Sequence, residues 1–149
     1  DVLNQTSGLN RLFVYTGSKP TAKAFAQAAK DGHSYVSFGP VIYPKNVMFG
    51  DTLKLAKAQA RTITFDLVAV NGLKSVQLIG SDSAATATDT QSAGNSVVLE
   101  DKTLTGDHDS VSFEVPQVSG WVALVVEDNE GRKAYTNPIW LELVDESQF

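Results

Sequence analysis

The stretch from Thr62 to Val70 reads TITFDLVAV, a regular alternation of apolar and polar residues. Because successive side chains of a β-strand point to opposite faces, this alternation predicts a strand with one buried face and one face toward water. Asn71-Gly72 then predicts a tight turn, and Val76, Leu78 and Gly80 predict a partner strand after it. The predicted buried positions of the first strand are Ile63, Phe65, Leu67 and Ala69.

Short strand patterns continue to the C-terminal end. Residues 97–99 and 111–115 predict two further strands, and residues 121–126 (WVALVV) are apolar on both faces, so we place that strand centrally. Pro138 has no N–H to donate, so we expect the last strand, 139–144, to start at an edge or at a switch between sheets. This spacing of strands and turns predicts an immunoglobulin-like antiparallel β-sandwich over residues 45–149.

Residues 1–44 have a different period and predict a β-α-β segment in an otherwise mainly β chain. Residues 12–15 and 34–38 have the composition of strands. Ser18 or Thr21 is a candidate N-cap of the helix between them, and Gly32 has the place of a left-handed C-cap. The helical residues predicted to face a sheet are Ala22, Phe25, Ala26 and Ala29.

The composition excludes several classes of function. The 149 residues fit one domain, or one domain with a short appendage. A net charge of -5 argues against nucleic acid or an anionic membrane as the main partner, since both require clustered Lys and Arg. The absence of cysteine excludes disulfides, thiolate nucleophiles and zinc sites built on cysteine. No apolar run approaches the roughly 18–20 residues of a membrane span.

Few side chains are suited to chemistry. His33 follows the predicted helix, where it reads as a cap or surface residue more readily than as a catalytic group. His108 lies in a Gly-Asp-His-Asp-Ser loop that fits turn chemistry or a loosely held cation. Residues 128–131 (DNEG) resemble part of a calcium loop without its closing Glu and predict a β-turn. A calcium site joining loops through Asp107, Asp109 and Asp128 is an alternative.

No catalytic constellation appears in the remaining residues. Asp66 is placed on the polar face of its strand, and we assign no catalytic, cofactor-binding or metal-ligating residue in this chain. Trp121 and Trp140 fit a sugar-stacking platform, but their place inside strand runs favours core packing. Residues 4–6 (NQT) match a glycosylation sequon, and the Ser/Thr/Ala-rich residues 81–96 predict a long exposed loop or a ragged hairpin tip.

Four motifs, in order along the chain, carry a resemblance to a known family. They are RLFVY at residues 11–15, AAKDGH at 28–33, SYVSFGP at 34–40 and GRKAYTNPIW at 131–140. Together they resemble the C-terminal part of PHP-type (polymerase and histidinol phosphatase) metal-dependent hydrolases. The similarity is to the subgroup that carries a β-sandwich after its barrel.

The resemblance implies that residues 1–44 are the end of a PHP barrel and that the metal ligands precede Asp1. The parent protein would be a phosphoesterase-like hydrolase with divalent zinc, manganese or iron, whereas this chain holds none of the family's ligand positions. The implied partner is the missing N-terminal barrel portion or a second copy of this chain. A barrel segment without its neighbours exposes apolar surface, so we expect Phe13, Tyr15, Phe25 and Phe38 to pack against the sandwich or a second chain.

Two other functions are alternatives to an accessory region, and the sequence favours only the first of them. An Ig-like module that contacts glycan or protein at the cell surface would use the tryptophans and the loop at residues 81–96. A self-sufficient enzyme lacks a supporting constellation. The chain starts at Asp1 without an initiator Met or a signal-peptide pattern, so we expect a processed form or a fragment. The low-Lys, Ser/Thr-rich surface without cysteine favours export in a bacterium.

Overall fold

The computed structural model describes residues 11–17, 20–81 and 96–145. These residues form eleven strands and one helix. The strands are β1 (Arg11–Val14), β2 (Ser34–Ser37), β3 (Val41–Pro44), β4 (Thr52–Ala56), β5 (Thr62–Val68), β6 (Leu73–Ser81), β7 (Ser96–Thr103), β8 (His108–Glu114), β9 (Gly120–Asp128), β10 (Lys133–Thr136) and β11 (Ile139–Val144); the helix is α1 (Ala22–Lys30).

The strands form two sheets that enclose one apolar core, so the chain is a mainly β sandwich, as its sequence predicts. The smaller sheet has the order β3-β5-β8. In the larger sheet β9 is central. Strand β6 pairs along one side of β9, with β7 beyond it. On the other side lie β10, β2 and β1 toward one end, and β11 and β4 toward the other. Among the described strands, β4 and β11 are the one parallel pair.

The central place of β9 confirms the prediction from its apolar sequence, because both of its edges are paired and its inward-facing residues are buried. The last strand differs from expectation. β10 and β11 pair in succession with the same edge of β9, and β11 lies between β9 and β4. Pro138 therefore interrupts one continuous edge of the sheet between β10 and β11, instead of marking an outer edge or a change of sheet.

The expected hairpin of β5 and β6 is wrong. β5 pairs with β3 and β8, whereas β6 pairs with β7 and β9. The turn at Asn71-Gly72 thus carries the chain from the smaller sheet to the larger one, with Leu73 N donating to Gly106 O at 2.7 Å. Alternation predicts a strand and its buried face, but it does not predict the partner of that strand. All four residues predicted to face inward are buried; three lie in β5 and the fourth, Ala69, directly follows it.

The N-terminal strands belong to both sheets. β1 pairs antiparallel with β2, which joins the larger sheet through β10. β3, the next strand, joins the smaller sheet through β5. The pairing of β1 with β2 differs from that of a barrel crossover, which joins parallel strands. Both sequence ranges, 1–44 and 45–149, therefore contribute strands to the same sandwich.

The ends of α1 follow the sequence signals, but its buried face does not. Thr21 Oγ1 caps the helix by accepting from Ala24 N at 3.1 Å, and Ser18 lies outside the described residues. Gly32, with φ +78°, ends it in a Schellman motif. The predicted stripe is wrong: Ala28 is buried, whereas Phe25 is 47% exposed. In a helix rich in alanine several faces are apolar, so the sequence does not single out the face that is buried.

A column of aromatic rings ties the N-terminal strands to the core. Phe13 stacks on Tyr35 with ring centroids 4.8 Å apart, and Tyr15 and Tyr35 both contact Phe49. Phe49 in turn stacks on Phe65 of the smaller sheet at 5.9 Å. The expectation that Phe13 and Tyr15 pack against the sandwich is confirmed. Phe25 and Phe38 do not pack against the sandwich, because both are exposed, and their contact with a second chain stays a prediction.

Candidate functional site

A cleft of about 360 Å³ opens at one end of the sandwich, between the two sheets. Its walls come from β1, from the connection between β2 and β3, and from the turns that follow β5 and β9. Three of the four sequence motifs that carry the family resemblance contribute to it. The lining residues are Arg11, Phe13, Ser37, Phe38, Gly39, Val41, Val70, Asn71, Asp128 and Arg132.

Asp128 is a buried carboxylate in the wall of this cleft, and it organises the turn between β9 and β10. Its Oδ1 accepts from Glu130 N and from Arg132 N, each at 2.9 Å. Gly131 has φ +79°, and its N–H donates to Asp128 O at 3.0 Å. The β-turn predicted at residues 128–131 is confirmed, and the hydrogen bonds explain why this carboxylate is buried.

Gly39 allows the second wall to approach that turn. A Cβ atom at Gly39 would lie 2.9 Å from Asp128 Oδ2 and 3.1 Å from Arg132 Cβ, closer than such contacts occur. Ser37 Oγ supports the bend by accepting from Gly39 N at 2.9 Å and donating to Pro40 O. The glycine of the Gly39-Pro40 motif is therefore required because the β9–β10 turn packs directly against it.

The charges of the cleft are partly balanced within it. The Arg132 guanidinium hydrogen-bonds the Glu130 carboxylate, which raises the pKa of Arg132, and its Nε lies 3.9 Å from Asp128 Oδ2. Arg132 is thus held by two carboxylates of its own turn. This arrangement can order the end of the sandwich, but it leaves little of that positive charge for a ligand.

A second junction joins the first and last parts of the chain at the end of α1. Asn137 Nδ2 donates to Gly32 O at 3.2 Å and to Ser34 Oγ at 2.8 Å. Gly50 N donates to Pro138 O at 2.8 Å. The Asn137-Pro138 motif therefore fixes the helix end and the loop before β4 to the step between β10 and β11. Sequence motifs about 100 residues apart meet here, as the separations of these hydrogen bonds show.

His33 belongs to this junction. Its backbone N–H donates to Ala28 O at 2.9 Å and completes the helix cap. Its side-chain Nε2 lies 2.9 Å from Asp51 Oδ1. The interpretation of His33 as a cap is confirmed, and the ring joins the helix end to the loop before β4.

The other titratable residues singled out from the sequence are spread over the smaller sheet. His108 is exposed at the start of β8, opposite Val68. Asp66 faces water, as predicted, with its Oδ2 3.1 Å from Lys45 Nζ. Hydrogen bonds from Lys45 and then Ser110 hold the pKa of Asp66 below its usual value. Within residues 11–17, 20–81 and 96–145, no group of three or more His, Asp or Glu side chains converges in a way that would hold a metal ion.

A feature that sequence reasoning missed is an exposed apolar row on the outer face of the larger sheet. Leu12 of β1 lies opposite Val36 of β2, which lies opposite Tyr135 of β10. These side chains are 53%, 40% and 45% exposed, respectively. The alternation within each strand was visible in the sequence, but the row exists only because the strand register aligns three separate segments.

The two tryptophans lie on the same outer face, farther along β9. Trp140 of β11 is directly opposite Trp121 of β9. Trp140 is 47% exposed and Trp121 is half-buried, so the prediction that both pack in the core is wrong. A usable signal was present, because Trp140 and Glu142 share one face of β11 while Ile139 and Leu141 are buried on the other.

Two sequence-based predictions fall outside the described residues: the sequon at residues 4–6 and most of the loop predicted at residues 81–96. Of that loop, Ser81 and Ser96 are described and pair with each other at the ends of β6 and β7. In the described part of the chain, no helix is long and apolar enough to cross a membrane. No protein-family model matches the sequence, and no curated protein matches it.

Proposed function

We propose that this chain is a non-catalytic accessory region of a PHP-type metal-dependent hydrolase with phosphoesterase-like chemistry. The metal ligands would lie on polypeptide upstream of Asp1 and hold divalent zinc, manganese or iron. The sandwich would brace the catalytic barrel and shape the approach to its active site. The ordered sequence motifs support this proposal, and their residues contribute to the cleft and to the junction at the end of α1.

The observation that carries the accessory role is the apolar row of Leu12, Val36 and Tyr135. It lies at the end of the larger sheet where β1 pairs with β2 alone among the described strands. β1 is the first described strand, so any upstream polypeptide is connected to the sandwich through it. An exposed apolar row at the end of a sheet is a surface that another part of a protein commonly covers. Upstream barrel structure is the occupant that chain connectivity favours.

The first test measures chemistry. We expect the purified chain to contain no stoichiometric zinc, manganese or iron by elemental analysis and to turn over no generic phosphoester. The residues encoded upstream of Asp1 should include a His-x-His pair and an Asp-x-His element. Stoichiometric metal with phosphoester turnover by the chain itself would contradict the proposal.

The second test measures docking in the longer protein that contains these upstream residues. Leu12→Ser combined with Tyr135→Ser should increase hydrogen exchange in β1 and lower the free energy of unfolding by at least about 2 kcal/mol, because burying such side chains contributes about 1.5–3 kcal/mol each. In the isolated chain the same pair should cost much less, since both side chains are already exposed.

Val98→Ser is the matched control for that experiment. Val98 is an exposed apolar residue of β7, at the opposite edge of the larger sheet. It should have little effect in either form of the protein. Equal effects of the Leu12/Tyr135 pair in the isolated chain and in the longer protein would show that no upstream structure covers the row.

We propose as a second candidate function an Ig-like module that contacts glycan or protein at the cell surface. The exposure of Trp140 beside Trp121 supports it, since large exposed aromatic side chains are typical of binding surfaces. This function uses a different part of the outer face from the apolar row, so the two candidates can be tested separately.

A further inference from the structure

We propose that Trp121 and Trp140 form a platform that binds a neutral pyranose oligosaccharide. This inference rests on the second candidate function above and names its ligand class and its site. The pair, with its polar neighbours Thr52, Lys54 and Glu142, is called the tryptophan platform below.

The backbone register places the two tryptophans at directly opposed positions of neighbouring strands. Trp121 of β9, Trp140 of β11 and Thr52 of β4 are directly opposite one another, in one row across three neighbouring strands. Their side chains share the outer face, because Val122, Ile139 and Leu141 on the same strands are buried in the core. Neighbouring strands lie about 4.8 Å apart, so the pair spans a surface of the size of a pyranose ring.

A pyranose ring suits such a surface for a chemical reason. Its axial C–H groups form a weakly polar face that can stack on the electron-rich face of an indole, while its hydroxyls point outward around the ring. An indole offers large contact area at low entropic cost because only two torsions are ordered on binding. Trp140, at 47% exposed, has the free area that stacking requires.

Polar side chains lie beside the aromatic pair, where sugar hydroxyls would need partners. Thr52 continues the row, and Glu142 lies opposite Lys54 one step along the same face. All three residues are exposed. A hydroxyl, an ammonium group and a carboxylate together supply both donors and acceptors.

The charges favour a neutral ligand over an acidic one. Glu142 and Lys54 are of opposite sign and directly opposed, so their charges offset each other. The chain as a whole carries a net charge of -5, which disfavours sulfated or uronic-acid polysaccharides. A neutral oligosaccharide meets no such repulsion.

The backbone under the platform is fixed at one end. Trp121 N donates to Ser81 Oγ at 3.2 Å. Gly120, the residue before Trp121, has no room for a Cβ atom against the same Ser81 hydroxyl. The close contact between β6 and the start of β9 thus fixes the backbone of Trp121 without a ligand, and a pre-ordered backbone loses less entropy on binding.

The first measurement is accessibility. The chain has two tryptophans, so Trp121→Phe and Trp140→Phe each leave one fluorophore. We expect acrylamide to quench Trp140 strongly and Trp121 more weakly. If acrylamide quenched neither tryptophan, the proposal would be overturned. Shielding of the tryptophans that increases with protein concentration would also overturn it, because that result assigns the face to a second copy of the chain.

The second measurement is binding to a glycan array, followed by fluorescence titration with cellotetraose, maltotetraose and an acidic hyaluronan tetrasaccharide. We expect at least one neutral oligosaccharide to bind and to change tryptophan fluorescence, and the acidic one to bind more weakly. Trp140→Ala should weaken binding at least tenfold, which corresponds to about 1.4 kcal/mol. Circular dichroism should show the fold unchanged.

Tyr43→Ala is the matched control. Tyr43 is an exposed aromatic residue of β3 in the smaller sheet, and its replacement should leave glycan affinity unchanged. Equal losses for Tyr43→Ala and Trp140→Ala would overturn the assignment of the site. If no neutral glycan bound although both tryptophans were accessible, the proposed ligand class would be overturned. That result would not bear on protein contact or on the accessory role, which have their own tests.

Discussion

At Gly50 the backbone has φ +87°, and a Cβ atom there would overlap Asp31 O and lie 2.9 Å from Gly32 Cα. Gly32 itself has φ +78° and would bring a Cβ to 3.2 Å from Gly50 Cα. Two glycines therefore meet backbone to backbone where α1 ends. This approach positions the Gly50 N–H for Pro138 O and places Asp51 beside His33. Position 50 therefore requires glycine for two reasons: its positive φ and the absence of space for a Cβ atom.

We predict that Gly50→Ala lowers the free energy of unfolding by at least about 3 kcal/mol, because steric overlap adds to the strain of a positive φ. Gly106→Ala isolates the strain alone. Gly106 has φ +77°, but the nearest atom to its Cβ would be His108 O at 4.0 Å. Its replacement should cost about 1–2 kcal/mol. Urea unfolding of both variants measures the difference, and equal losses would show that the contact at Gly50 relaxes freely.

At the scale of elements, the aromatic column determines how the N-terminal strands attach to the sandwich. Phe49 lies between β3 and β4, outside any strand, yet it is fully buried. It contacts Tyr15 and Tyr35 from the larger sheet and stacks on Phe65 from the smaller one. A loop residue thus provides the contact between the two layers. The strand pattern alone does not predict this role, because Phe49 is not part of any alternation.

Phe49→Ala should cost about 3–5 kcal/mol, as is typical when a buried aromatic ring is removed and a cavity remains. Phe25→Ala is the matched control, since Phe25 lies on the exposed face of α1. We expect it to cost no more than about 1 kcal/mol. Chemical denaturation provides the comparison. A loss at Phe25 as large as that at Phe49 would mean that the helix buries the face predicted from its sequence.

At the scale of the whole molecule, the buried Tyr35 and the partly buried Tyr15 couple stability to alkaline pH. Tyr15 OH donates to Ile42 O, and Tyr35 OH accepts from Ile42 N at 3.1 Å, so both phenols are fastened to β3. Burial raises the pKa of Tyr35 to about 12. Burial, followed by the nearby Tyr35 and Tyr43, raises the pKa of Tyr15 above its usual value. The folded protein therefore keeps both phenols protonated in mildly alkaline solution.

We predict that the free energy of unfolding falls as the pH rises above about 10, where phenols of the unfolded chain begin to lose their protons. A raised folded-state pKa gives stability that is complete below the unfolded pKa and is lost toward the folded value. For Tyr35 that window runs from about 10 to about 12. Urea unfolding across this range measures the slope. Tyr15→Phe should reduce the slope, and an unchanged slope would remove Tyr15 from the explanation.

Part of this structure could be read from local sequence. The alternation at residues 62–70 gave β5 and its buried face, and the apolar run at residues 121–126 gave the central strand β9. The Thr21 and Gly32 signals gave the ends of α1. These features are local because side-chain direction and capping depend on residues a few positions apart. The buried face of α1 could not be read, since alanine makes neighbouring faces equally apolar.

The candidate sites depended more strongly on the tertiary structure. The sequence singled out Trp121 and Trp140, but the apolar character of their strands predicted that both pack in the core. The better signal was that Trp140 lies two positions from Glu142, so both side chains point to the same face of β11. The cleft beside Asp128 joins residues from four separate segments, so no single segment of the sequence showed it. Gly39 stood out as part of a motif, whereas its contact with Asp128 explains the motif.

By itself the sequence determined that this chain is mainly β, where most strands lie and which side chains of β5 point inward, because a strand's alternation is a local property. Only the tertiary structure decided which strands are neighbours. That choice placed Leu12, Val36 and Tyr135 in one row and brought Trp121 beside Trp140. Strand partners are selected when distant segments pack in a common core. The free energy of that packing depends on several segments together, so it cannot be predicted from any one of them.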